Sequence, residues 1–89
     1  MRTDLTPPEQ VLENGSAQEI LRVWAVDGDA QHFAIAPDVW SDPATWGLML
    51  VDIARHVARG LARASDQSEA DVLARIKAGF DVEWEDPTG

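Results

Sequence analysis

The chain contains no cysteine among its 89 residues. Disulfides, zinc–thiolate sites and catalysis by a thiol are therefore excluded. Basic residues are also scarce, since 7 Lys and Arg stand against 16 Asp and Glu, which gives a formal net charge of −9. A surface with this charge repels a phosphate backbone, so we do not expect nucleic acid to be a partner.

Long apolar runs are missing as well. No stretch is long enough to cross a bilayer, and residues 1–8 lack the apolar segment of a signal peptide. We therefore expect a cytoplasmic protein without a membrane partner. Gly-x-Ser-x-Gly, a glycine-rich phosphate loop and His-Glu-x-x-His do not occur either, so the sequence predicts no catalytic residue, no metal site and no cofactor.

A chain of 89 residues is long enough to form one hydrophobic core. A domain of this size buries only about 60% of the surface of its unfolded chain, so dimerisation would help it. Prolines and an Asn-Gly-Ser turn punctuate residues 1–18, which we expect to form a mobile arm with at most one helical turn at 9–13. Residues 19–89 are then predicted to form a single α+β domain.

The domain is predicted to begin with a β-hairpin at about 19–36. Residues 19–26 are rich in β-branched and aromatic side chains, Asp27-Gly28-Asp29 is typical of a tight turn, and 31–36 alternate in polarity before Pro37. The loop length leaves two registers open. A two-residue loop pairs Trp24 and Arg22 with the side of Phe33 and Ile35, and a three-residue loop pairs Val23 with Phe33 and Leu21 with Ile35.

We prefer the three-residue loop because it gathers the aliphatic side chains and Phe33 on one face. Arg22, Trp24 and His32 then share the other face.

Two helices are predicted to follow the hairpin, which gives the order ββαα. The first runs from about 43 to 64, because Asp42-Pro43 combines a capping carboxylate with a proline at the first helical position. Apolar residues at intervals of three and four predict its buried stripe. They are Trp46, Met49, Leu50, Ile53, Val57 and Leu61, with Ala54 and Ala58 beside them.

The second helix is predicted over 69–85. Ser68 with Asp71 is similar to a capping box, and Ile76, Phe80 and Trp84 continue a spacing of four. Gly79 leaves an alternative open, in which the helix ends there and 80–84 form a third strand.

Several runs resemble a small bacterial family described as domain of unknown function 5076. These are LRVW at 21–24, PDVW at 37–40, the most specific run WGLMLVDIARHVA at 46–58, and the closing FD, EWE and PT within 80–88. The likeness covers about residues 19–88. It implies a bacterial, cytoplasmic domain and provides no catalytic residues to carry over.

Two groups of side chains could bind a partner or ligand. Arg55, Arg59 and Arg63 form a cationic stripe that could hold an anion, with His56 beside it and spaced to interact with Asp52. The alternative is ordinary charge placement, in which Glu69 and Asp71 neutralise the arginines. An acidic C-terminal cluster could bind a divalent cation, but its spacing matches no calcium loop and we expect it to be solvated. It consists of Asp81, Glu83, Glu85 and Asp86.

The second group consists of the four tryptophans, which are candidate interface residues. They are Trp24, Trp40, Trp46 and Trp84. Large aromatic residues dominate interfaces as well as cores. The sequence therefore favours a protein-interaction or assembly module, a homodimer formed through the hairpin edge or the tryptophan faces or a binder of another protein. The alternative is a small anion-binding domain or minor enzyme that uses the Arg55, His56 and Arg59 face.

Overall fold

A computed structural model describes residues 5–27 and 30–87. The chain folds into two compact units, Met1–Ser41 and Asp42–Gly89. The order of elements is ββαα after one short helix, which confirms the predicted fold class. The elements are α1 (Glu9–Leu12), β1 (Leu21–Val26), β2 (Ala30–Ile35), α2 (Pro43–Arg63) and α3 (Glu69–Glu85).

The first unit begins with the single helical turn that was predicted after the prolines. Pro8 precedes α1, and its carbonyl accepts hydrogen bonds from the backbone N–H groups of Val11 and Leu12 at 3.0 and 3.2 Å. Glu13 is the C-terminal cap of this turn, and beyond it the Asn14 side-chain oxygen accepts hydrogen bonds from the N–H and the hydroxyl of Ser16. That the arm 1–18 is mobile stays a prediction.

The hairpin has the register that the apolar pattern favours. Val23 pairs with Phe33 and Leu21 with Ile35 in an antiparallel ladder, which confirms the three-residue loop. Asp27 opens the loop with a φ of 54°, in the left-handed region that aspartate tolerates better than most residues. Gly28 and Asp29 lie outside the described residues.

The second unit begins at the predicted cap of α2. The Asp42 carboxylate accepts a hydrogen bond from the N–H of Ala44 at 3.0 Å, and Pro43 occupies the first helical position. The helix ends at Arg63, one residue before the predicted end. Among the described residues, no helix is both long and apolar enough to cross a membrane.

Helix α3 begins and ends where the sequence predicts. The Ser68 hydroxyl accepts a hydrogen bond from the N–H of Asp71 at 3.0 Å, and the helix continues through Gly79 to Glu85. The alternative of a third strand at 80–84 is therefore wrong. A single interior glycine costs a helix only about 1 kcal/mol, which the rest of this helix tolerates.

The two long helices pack against each other through small contact residues. Ala58 on α2 is completely buried and Val72 on α3 is 5% exposed. The prediction of a buried stripe on α2 is therefore wrong for most of its members, because Leu50, Ile53, Val57 and Leu61 are all exposed. Val57 precedes Ala58 by one residue, about 100° around the helix, so the stripe lies at the edge of the face that meets α3 and not at its centre.

Candidate interaction surface

An exposed row of large aliphatic side chains runs along α2. Leu50, Ile53, Val57 and Leu61, here called the α2 stripe, keep 39–52% of their surface accessible. Trp46 and Met49 continue the row toward the start of the helix and are half-buried. A monomer gains only about half of the burial energy of these side chains, which amounts to about 1.5–3 kcal/mol for each one fully covered.

An apolar groove between α2 and α3 lies beside the α2 stripe. Its volume is about 600 Å³, and its lining includes Leu50, Val51 and Ala54 from α2. From α3 it includes Phe80 and Trp84, whose rings stack with centroids 5.6 Å apart. Because Leu50 belongs to both features, the stripe and the groove form one continuous apolar surface.

The aromatic pair of the groove is more exposed than most large apolar side chains in folded proteins. Phe80 keeps 53% and Trp84 keeps 73% of its surface accessible. Both were noted in the sequence for their spacing of four, which places them on one side of α3. That spacing is the sequence signal for the wall of the groove that α3 provides.

Charge at the groove is sparse and partly neutralised. Lys77 and Asp81 both line it, and the Lys77 Nζ lies 2.8 Å from the Asp81 Oδ2. Arg55 also lines it, without an ion pair to another residue in the part of the chain that the structure describes. The groove is therefore suited to binding apolar side chains of a partner, with few polar contacts at its rim.

The predicted anion site is partly occupied by internal contacts, at Arg59 and His56. The Arg59 Nε lies 3.3 Å from the Glu69 Oε1, and both side chains are about half-exposed. The His56 Nδ1–H donates a hydrogen bond to the main-chain oxygen of Asp52 at 2.8 Å, and not to its carboxylate. Arg63 is the last residue of α2. Neutralisation by Glu69 was the structural alternative that the sequence left open.

The four tryptophans lie in different surroundings. Trp84 is on the groove, Trp40 and Trp46 are half-buried, and Trp24 lies on the hairpin. The guanidinium carbon of Arg22 is 5.9 Å from the ring centroid of Trp24. Arg22 also pairs with Glu19 at 2.7 Å, so this face of the hairpin is polar at one end.

The other face of the hairpin is apolar and open. Val23, Phe33 and Ile35 keep 50–62% of their surface accessible. Val23 pairs directly with Phe33 in the ladder, and Ile35 lies two residues along the strand from Phe33 on the same face. The three side chains therefore form one patch. The first unit therefore has an uncovered apolar surface of its own.

Among the described residues, no group of three or more His, Asp or Glu side chains is placed so that it could hold a metal ion. The acidic cluster near the end of the chain includes Asp81, which is paired with Lys77. Its interpretation as a divalent-cation site therefore gains no support from the geometry.

The sequence and the fold both match known proteins. The model of a family described as "Domain of unknown function (DUF5076)" matches residues 4–88. A comparison with curated proteins finds no significant match. Among solved structures, the chain is similar to that of "a putative pyruvate dehydrogenase from the photosynthetic bacterium Rhodopseudomonas palustrus CGA009". The two are 38% identical with a TM-score of 0.77, over 100% of this chain and 90% of that one.

Proposed function

We propose that this chain, which belongs to the family of domain of unknown function 5076, is an assembly module that acts as a homodimer. The observation that carries the proposal is the continuous apolar surface formed by the α2 stripe and the groove. Monomeric proteins seldom leave so many neighbouring large apolar side chains in water, and such patches mark interaction sites. A second copy is the partner that is always available to the chain.

Association would also compensate for the small hydrophobic core of the domain. Only Ala58 and Val72 are buried among the described residues, and both side chains are small or medium. A chain of this length has little apolar core to stabilise it, and oligomerisation is a common remedy. The dimer would supply the core that the protomer lacks.

The similar structure is described as a putative pyruvate dehydrogenase, and we do not assign that activity to this chain. A site for pyruvate would need polar groups that hold a carboxylate and its neighbouring carbonyl. The lining of the groove is mostly hydrocarbon, and its charged side chains are Arg55 and the paired Lys77 and Asp81. The geometry therefore supports association better than catalysis.

Anion binding by Arg55, His56, Arg59 and Arg63 remains the second candidate. Arg55 and Arg63 have no ion pair among the described residues, and this observation favours it. The pairing of Arg59 with Glu69 and the hydrogen bond of His56 to its own helix weigh against it.

Thermal unfolding at several concentrations separates the two candidates. Unfolding of a dimer is coupled to its dissociation, so Tm is expected to rise by roughly 5–10 °C over a hundredfold increase in concentration. Added inorganic phosphate is expected to leave Tm unchanged at constant ionic strength.

A Tm that does not depend on concentration would overturn the homodimer. If phosphate raised Tm in the wild type and not in Arg55→Ala, the anion-binding function would replace it.

A further inference from the structure

We infer that two copies pair through α2, antiparallel about a twofold axis near the middle of the helix. In this arrangement each copy covers the α2 stripe and the groove of the other, so that two α2 and two α3 helices form the dimer core. The inference rests on the proposed homodimer and adds its surface, direction and symmetry.

The spacing of α2 predicts a helix-to-helix seam. Residues repeat at intervals of four, three, four, three and four, the pattern of positions a and d in packed helices. They are Trp46, Leu50, Ile53, Val57, Gly60 and Ala64. The exposed stripe follows this seam, and Leu61 flanks it.

Side-chain size along the seam selects the antiparallel direction. The seam begins with Trp46 and Leu50 and ends with Gly60 and Ala64. A Cβ built on Gly60 would meet nothing within 4 Å, so open space lies over this position. Antiparallel pairing brings the large end of one helix to the small end of the other. Parallel pairing would crowd two Trp46 side chains and leave a void between two Gly60 residues, which is costly in a packed interface.

The helix dipoles favour the same direction. In an antiparallel pair the dipoles of the two α2 helices oppose each other, which is favourable, whereas in a parallel pair they point the same way. The arginines of α2 lie away from the seam, since Arg59 follows Val57 by two residues, about 200° around the helix.

The exposed apolar area fits a dimer of ordinary size. Seven large side chains are exposed on the stripe and the groove, and each keeps 39–73% of its surface accessible. Covering them removes on the order of several hundred Å² of apolar surface per copy, a large part of the about 800 Å² per partner that a stable interface buries. They are Leu50, Val51, Ile53, Val57, Leu61, Phe80 and Trp84.

Thiol cross-linking tests the direction, and the absence of native cysteine makes each introduced thiol unique. We would prepare Leu50→Cys, Gly60→Cys and the off-seam control Leu48→Cys, and treat each alone and in pairs with a short bis-maleimide. Positions 50 and 60 of opposite copies face each other across an antiparallel seam, whereas two copies of position 50 lie about 15 Å apart along it. The molar mass of each variant is measured before the reagent is added.

The expected result is a cross-linked dimer from the mixture of Leu50→Cys and Gly60→Cys, at least tenfold more abundant than from either alone. Leu48→Cys should give none with either partner. Cross-linking of each variant with itself would show parallel pairing and overturn the inference. A dimeric mass without any cross-link would move the interface to another surface, such as the hairpin edge, and leave the proposed function intact. A monomeric wild type would overturn both.

Discussion

Val57→Glu is expected to convert the dimer into monomers. Val57 lies in the middle of the α2 stripe and is 46% exposed in the protomer, so a carboxylate is tolerated there in water. In the dimer the same carboxylate would be buried twice without a partner, which costs several kcal/mol. We expect the dissociation constant to rise at least 100-fold, about 2.8 kcal/mol. Sedimentation equilibrium measures this change.

Leu48→Glu is the matched control. Leu48 is on the same helix and is more exposed, at 69%, but it lies outside the stripe and the groove. The Leu48→Glu variant should dimerise with the same dissociation constant as the wild type. Equal dissociation constants for the two variants would contradict the role of the stripe, and circular dichroism would show whether helix content follows the loss of the dimer.

Ala58→Leu is expected to lower stability by about 1–3 kcal/mol, because three extra carbon atoms have no room between α2 and α3. The completely buried Ala58 lies on the face of α2 that approaches α3. For a domain of this size the corresponding fall in Tm is roughly 5–20 °C. Thermal unfolding at a fixed concentration measures it.

Ala78→Leu provides the comparison, since Ala78 is an exposed alanine in α3 and leucine is a good helix former there. Its Tm should stay within about 2 °C of the wild type, which is a small surface effect. If both variants lost the same stability, close packing at Ala58 would not be what limits the approach of the helices.

Local features of the fold could be predicted because short-range chemistry determines them. Asp42 and Ser68 cap the two helices where their side chains can accept backbone N–H groups. The hairpin register follows from a preference for grouping Val23 and Phe33 on one apolar face. In each case a few neighbouring residues carry the information.

The identity of the buried face could not be predicted from α2 alone. Apolar periodicity indicates that one face of a helix is buried in the folded or assembled protein, but it does not identify the element or chain that buries it. Here the stripe is exposed, and Ala58, about 100° away from Val57, is buried. Small residues beside a strong apolar stripe are therefore worth testing as the contact with the next helix.

The candidate site could be predicted only in part. The sequence indicated the arginines, but not that the Arg59 Nε would lie 3.3 Å from Glu69, because that contact joins different helices. The groove also requires two helices at a defined distance, so the spacing of Phe80 and Trp84 could show only one of its walls.

The most direct test of the account is the molar mass of the wild-type chain in solution, measured by light scattering behind size exclusion over a range of concentrations. A homodimer gives a mass near twice the 9.8 kDa of the chain, falling toward 9.8 kDa only on strong dilution, and this is the result we expect. A mass of 9.8 kDa at every concentration would contradict it, because the α2 stripe and the groove would then remain uncovered.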